Sequence, residues 1–245
     1  MSGKGGDSIL LQSSTSDVFT DLWLARGWRA LFAPDVPRLA AENEISVWSM
    51  IREARRHGRE GQRLPVRDEG ILVPHQQPVA HPWLADCDGF GPAKTLQIAG
   101  VLDSVSRHGP SMLTETVDVR HPMCAQPVIE ACLAIPTPLL TFGGRDRGLA
   151  RYAFRDRLPR AIIERRSKGD MTRIYAMMIL DNLAVLRPWL LDGRLAALGV
   201  LDRSAADQLL TRESLIWRGA YSTIIVAAAF EGWVRAWERR LKPPD

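Results

Sequence analysis

Long apolar runs are missing from this 245-residue sequence. The longest, Ile224 to Phe230, falls far short of the roughly 20 residues that a spanning helix needs, so no membrane partner is expected. Cysteine is scarce: Cys87, Cys124 and Cys132 are all there is. An odd count at wide spacing argues against a disulfide scaffold and for free thiols. With no signal-peptide pattern at the start, a cytoplasmic location is expected. Charge of one sign is not gathered anywhere. The net charge is +4 and the pI about 9.2, with arginines spread along the chain. No helix collects them as a groove-reading helix would, so no nucleic-acid partner is expected. Strand-like alternation is almost absent, and only Gly70 to Pro74 reads as one short strand. Internal repeats and low-complexity tracts are lacking too.

What is present is 46% apolar and 24% charged residues, enough for a normal core. The apolar residues recur at helical periods. Ser16 or Asp17 caps a helix through Phe19, Leu22, Trp23, Arg26 and Ala30, which Pro34 ends. Pro37 opens a second helix that continues to about Arg56. His57 to Pro82, rich in glycine and proline, reads as a long loop. Further helices are predicted from about Ala93 to Arg107, Gln126 to Leu133, and Gly144 to Phe154, the last broken by Leu158-Pro159. Met171 to Leu186 reads as an apolar helix central to the core. Asp202 caps a short helix. Tyr221 to Leu241 forms a long terminal helix, apolar through Ile225, Ala229, Trp233 and Trp237.

Several side chains stand out chemically. Gly3, Gly5 and Gly6 allow positive φ and the close approach that phosphate loops need. A frayed terminus would read the same way, but Ser8 to Leu11 turns apolar at once and sets the loop against structured chain. The Walker pattern is absent, since no Gly-Lys-Ser/Thr stands at its spacing. His81, Asp86, Cys87 and Asp88 match no standard zinc spacing and read as a turn. Cys124 and His121 suggest a Cys/His pair, without a third group to orient it. Cys132, on an apolar helical face, reads as a buried structural thiol. Lys94 starts a helix, where the dipole disfavours a cation; it reads either as an anion contact or as a solvated lysine.

Order matters more than any single motif. Ser2-Gly3-Lys4-Gly5-Gly6-Asp7, Arg120-His121-Pro122, Leu158-Pro159 and Arg166-Ser167-Lys168 follow one another as in the synthetase domain of the asparagine synthetase family, which the chain resembles up to about residue 185. His81-Pro82-Trp83-Leu84, Gln126-Pro127 and Gly143-Gly144-Arg145 look more narrowly like the lasso-peptide macrolactam cyclases of that family. The resemblance implies a mainly α fold. It would be the C-terminal helical part of an adenine-nucleotide α-hydrolase-like (PP-loop ATPase) α/β synthetase domain, with most of the parallel sheet missing. The implied reaction activates a carboxylate with ATP as an acyl-adenylate, which an amine then converts to an amide.

By the same resemblance, Ser2, Gly3, Gly5, Gly6 and Asp7 belong to the nucleotide loop, and Asp7 is the ligand of Mg2+. Lys168 faces the pyrophosphate, Arg120 positions the carboxylate or adenylate, and Asp118 is tied to amine activation. The substrate would be aspartate or a precursor peptide, the latter with a peptide-processing partner protein. Three departures qualify this picture. Ser-Gly-Gly-x-Asp-Ser, the family's first pyrophosphate loop, occurs nowhere, and neither does a glutamine-hydrolysing domain. Residues 1–245 are therefore expected to be part of a synthetase-type domain, with little activity alone. Lys4 stands in place of an acid, and Met123-Cys124-Ala125 in place of Phe-Leu-Asp, both pointing away from asparagine formation. The competing reading is a non-catalytic helical binding protein that retains the scaffold.

Overall fold

The computed structural model describes residues 1–12, 15–60, 70–73, 81–107, 109, 112–165, 172–218 and 221–241. Among them every regular element is helical, apart from one antiparallel bridge between Leu72 and Leu201. The mainly α expectation holds, and the strand read at Gly70 to Pro74 reduces to that bridge. The chain divides into two compact units. One comprises Met1–Pro65 and Val79–Arg165, the other Val66–Pro78 and Arg166–Asp245.

The first unit opens with α1 (Gly6–Ile9), a single turn. In α2 (Ser16–Arg26) Thr15 occupies the cap position, not Ser16 or Asp17, and Asp17 lies in the first turn. The chain continues as a 3-10 turn over Gly27–Phe32. α3 (Val36–Glu42) has Pro37 in its first turn. It does not run on to Arg56 as the sequence predicts. The Asn43 amide donates to the Leu39 carbonyl at 2.8 Å, Glu44 turns to φ 53°, and α4 (Val47–Glu60) starts afresh. Then come α5 (Pro82–Ala85), α6 (Pro92–Ser106), α7 (Met112–Thr116), α8 (Gln126–Ala134), α9 (Thr137–Leu140), α10 (Gly148–Ala153) and α11 (Arg160–Ile163). Prolines 82, 92, 127 and 138 all sit in first turns, where a missing N–H breaks no helical bond.

α2 is the hub of this unit, with Val18 and Phe19 buried against Leu39, Met50, Ala54 and Leu140. A fully buried Phe19 stabilises the unit by about 2–3 kcal/mol. A smaller cluster of Ile9, Val101 and Ile129 joins α1, α6 and α8.

The second unit contains α12 (Thr172–Asp181), α13 (Leu183–Leu191), α14 (Arg194–Ala197), α15 (Arg203–Leu209), α16 (Arg212–Arg218) and α17 (Tyr221–Leu241). Ile71, from the separate stretch at 66–78, is buried in its core beside Leu201. There the Val73 N–H donates to the Val200 carbonyl at 2.9 Å, and the Asp202 N–H to the Ile71 carbonyl at 2.8 Å. The apolar run from Met171 is not one core helix. It breaks at Asn182, whose amide donates to the Met178 carbonyl at 2.8 Å; Ile179 is buried while Ile174, Met177 and Met178 are exposed.

α17 has the predicted bounds but not the predicted inner face. Ile224, Ala227 and Glu231 point inward, and Trp233 and Trp237 are exposed. Glu231 sets that rotation. Its carboxylate accepts the N–H groups of Arg194 and Leu195, each at 2.8 Å, and pairs with the Arg235 guanidinium. It thus satisfies the donors at the start of α14. Burial pushes the Glu231 carboxyl up, but the Leu195 and Arg194 amides and Arg235 outweigh it and hold its pKa below the usual value. No single helix among the described residues is long and apolar enough to cross a membrane.

Candidate functional site

The N-terminal loop is not frayed. The Ser2 N–H donates to the Arg120 carbonyl at 2.9 Å, and the Ser2 hydroxyl bonds His121 Nδ1. The Cys124 thiol donates to the Lys4 carbonyl at 3.4 Å. The Lys4 ammonium reaches the Arg107 carbonyl, just past α6, at 2.6 Å. Gly5 sits at φ 85°, and a Cβ there would lie 2.7 Å from Cys124 Sγ. Two stretches more than a hundred residues apart are thereby laced together, the Ser2–Asp7 loop and the Arg120–Cys124 segment. His121 bonds Ser2 and Cys124 bonds Lys4, so the Cys/His reading gives way to two separate anchors.

Inside the loop, the Lys4 N–H is held by Ser2 Oγ at 3.2 Å and the Gly6 N–H by the Gly3 carbonyl at 3.1 Å. Those amides are directed at the loop's own oxygens rather than outward. The outward charge comes from side chains. Asp7 pairs with Arg147 at 3.2 Å, the two side chains being 55% and 31% exposed. Arg147 itself is left-handed at φ 51°, a geometry that costs a non-glycine residue roughly 1–2 kcal/mol. Its N–H bonds the Leu11 carbonyl at 3.1 Å, so it grips both ends of α1.

Two neighbouring arginines, Arg145 and Arg151, serve the fold. Arg151 donates to the carboxylate of Asp146 and to the carbonyls of Ile162 and Ile163, and Arg145 also reaches Ile163. They close the C-terminal end of α11. Asp118 and Arg120 pair at 2.9 Å with 73% and 74% exposure. An exposed pair of this kind contributes about 0–1 kcal/mol, so both groups stay available to a ligand. Lys168 lies outside the described residues, as do Arg166 and Ser167.

Among the described residues no three His, Cys, Asp or Glu side chains gather into a metal-binding group. His81 instead caps α5, accepting the Trp83 N–H at 3.2 Å, and the buried Cys87 thiol donates to the Trp83 carbonyl. Asp7 is one carboxylate on a glycine loop. Magnesium carried on nucleotide phosphates asks for one or two carboxylates; Asp7 offers one, and it is paired with Arg147.

Lys94 is neither an anion contact nor solvated. It is buried, and its ammonium donates to Gln97 Oε1 at 2.6 Å and to the carbonyls of Leu133 and Ile135 at 2.9 and 2.7 Å. Burial lowers its pKa, with Asp21 and Cys132 pulling the other way. The Asp21 carboxylate caps α6 from α2: it accepts the Ala93 and Lys94 N–H groups, both at 3.0 Å, and the Thr137 hydroxyl at 2.6 Å. Burial raises the Asp21 pKa despite those three donors. Cys132 is half-buried against Ile9, Val101 and Ile129, and burial raises its thiol pKa.

Arg147 and the Ser2–His121 contact are the parts of this site that sequence reasoning misses. Arg147 is one of four arginines between positions 145 and 155, and nothing local distinguishes it from its neighbours. Residues 102–235, more than half of the chain, match the model of the family described as asparagine synthase. The match includes Asp118, Arg120, Arg147 and Lys168, and it leaves the Ser2–Asp7 loop outside. No curated protein and no solved structure matches the chain.

Proposed function

The chain belongs to the asparagine synthase family, whose members form amide bonds at the expense of ATP, and on that premise we propose that it joins a peptide carboxylate to an amine through an acyl-adenylate. A carboxylate oxygen attacks the α-phosphorus and pyrophosphate leaves. The amine then attacks the acyl carbon, loses a proton, and AMP leaves. Lys168 is assigned to the pyrophosphate, where a mobile ammonium matches developing charge. Arg120 holds the carboxylate or adenylate, and Asp118, its partner at 2.9 Å, takes up the amine proton. Bound magnesium would neutralise phosphate charge, and Asp7 is the residue to hold it. Displacing Arg147 from Asp7 would give that arginine a phosphate to meet.

The observation that supports this reading best is the Ser2 N–H to Arg120 carbonyl bond at 2.9 Å. It sets the glycine loop directly on the arginine that the reaction needs. The Cys124 thiol bonds the Lys4 carbonyl next to that contact, and Lys4 and Met123-Cys124-Ala125 depart from asparagine synthetases, which favours a peptide substrate and ring closure over free aspartate. A cytoplasmic setting and a peptide-processing partner belong to the same proposal.

The test is pyrophosphate exchange into ATP by the protein purified from its own cells, so that its partners come with it. Exchange is expected to require a carboxylate-bearing peptide and to fall about 100-fold in Lys168→Ala. Exchange driven by free aspartate would assign asparagine synthesis instead. The inward-facing loop amides and the Asp7–Arg147 pair favour a second reading, a binding protein that has kept the scaffold. Nucleotide binding without exchange for any carboxylate would select it.

A further inference from the structure

Arg147 holds a conformation that the needs of the fold do not explain. Its φ of 51° lies in the left-handed region, which glycine enters without steric cost and other residues do not. Glycine at 147 would keep the N–H bond to the Leu11 carbonyl and the start of α10, because both are backbone features. Only the guanidinium would be lost. Its ion pairs with Asp7 and Asp146 are partly exposed, and they do not outweigh the cost of the left-handed backbone. Strain kept for the sake of a charged side chain points to a function.

Both tips of the Arg147 fork meet anions. Nη1 donates to Asp7 Oδ1 and Nη2 to Asp146 Oδ2, each at 3.2 Å. The two carboxylates are not equivalent. Asp146 is also held by Arg151 Nη2 at 3.2 and 3.3 Å, and its carbonyl accepts Arg151 Nε at 3.0 Å. Asp146 therefore keeps a guanidinium when Arg147 leaves. Asp7 belongs to the glycine loop, whose Lys4 and Gly6 amides turn inward. With its charge matched by Arg147, Asp7 offers a bare divalent cation little attraction. Phosphate changes the balance, because its oxygens match the guanidinium fork at two points. The Asp7 carboxylate is then left to the metal that the phosphate carries.

We infer that Arg147 is a latch on the glycine loop. In the empty protein it neutralises Asp7 and excludes free metal ion. It exchanges that carboxylate for phosphate when a metal-bearing nucleotide or pyrophosphate arrives. This rests on the reading that Asp7 holds metal in an ATP site, and it adds an order of events: metal enters on phosphate and not before it.

Mn2+, followed by its electron paramagnetic resonance, and inorganic pyrophosphate, followed by calorimetry, test the latch with no carboxylate substrate present. The wild-type protein is expected to bind Mn2+ alone weakly. Arg147→Gly should bind it about fivefold more tightly, and adding Asp7→Asn should abolish that gain. Pyrophosphate with Mn2+ should bind Arg147→Gly about tenfold more weakly than the wild type. Arg147→Asn, whose side chain tolerates the left-handed backbone, should behave in the same way. The urea midpoint of Arg147→Gly should equal or exceed that of the wild type. A lower midpoint would show that Arg147 serves the fold and would overturn the latch. So would unchanged Mn2+ affinity in both Arg147 variants, unchanged pyrophosphate affinity, or a gain in Mn2+ affinity that survives Asp7→Asn. The expected affinities without pyrophosphate exchange into ATP would keep the latch and remove the ligase reading.

Discussion

Lys94 is the side chain whose surroundings differ most from its appearance in the sequence. At the start of a helix it looks misplaced, because the amide dipoles there repel a cation. The carbonyls at the end of α8 draw it in, so one ammonium terminates a helix on which it does not lie. Lys94→Met keeps the stem and removes the donors. It should destabilise the first unit by about 3 kcal/mol, read from urea denaturation, since the buried Gln97 amide oxygen and two part-buried carbonyls lose their partner. No local pattern could announce this, because Leu133 and Ile135 lie some forty residues on. Glu231 carries the corresponding role in the second unit, and with it a pH dependence. Its folded pKa lies below that of the unfolded chain. Its contribution is therefore whole above about pH 4.3 and is lost as the pH falls through the folded value. Asp21, whose folded pKa is raised, contributes in the opposite sense, most at low pH. Urea midpoints between about pH 3 and 6 should show an acid limb that flattens in Glu231→Gln.

Elements were more legible than residues where proline or a cap spoke for them. Pro37 and Pro92 open helices within a residue or so of where they were predicted, and Asp202 accepts the Ala205 N–H at 2.9 Å as a cap should. Asp202→Ala should cost about 1 kcal/mol in thermal or urea unfolding. The breaks at Asn43 and Asn182 were not legible, because each depends on a side-chain amide returning to its own helix. Nor was the inner face of α17, where a buried carboxylate outranks two tryptophans. The glycine loop makes its own prediction. Gly5→Ala meets both a left-handed backbone and the Cys124 sulfur. It should loosen the loop by about 1–3 kcal/mol, seen as faster tryptic cleavage after Lys4. Adding Cys124→Ala should recover the steric part and leave the backbone part.

At the scale of the molecule, the mainly α class and the order of the family motifs could be read from sequence, whereas the division into two units could not. It depends on where a short apolar stretch of the long loop comes to rest, and that stretch has no pattern of its own. Ile71 is 1% exposed in a core otherwise supplied by residues beyond 170. Ile71→Ala should cost about 2–4 kcal/mol. The loss should fall on the second unit, so hydrogen exchange should quicken in α13 and α17 while α2 and α6 keep their protection.

The Leu72–Leu201 bridge also sets a clock. A ribosome adding about 5–20 residues per second needs roughly 6–26 s to travel from one partner to the other. By the end of that interval the first unit has been translated on both sides of the excursion and can complete its own helices. Ile71 has emerged, but the core that will enclose it has not yet been translated. The apolar residue that waits longest for its core thus lies in the middle of the message rather than at the growing end.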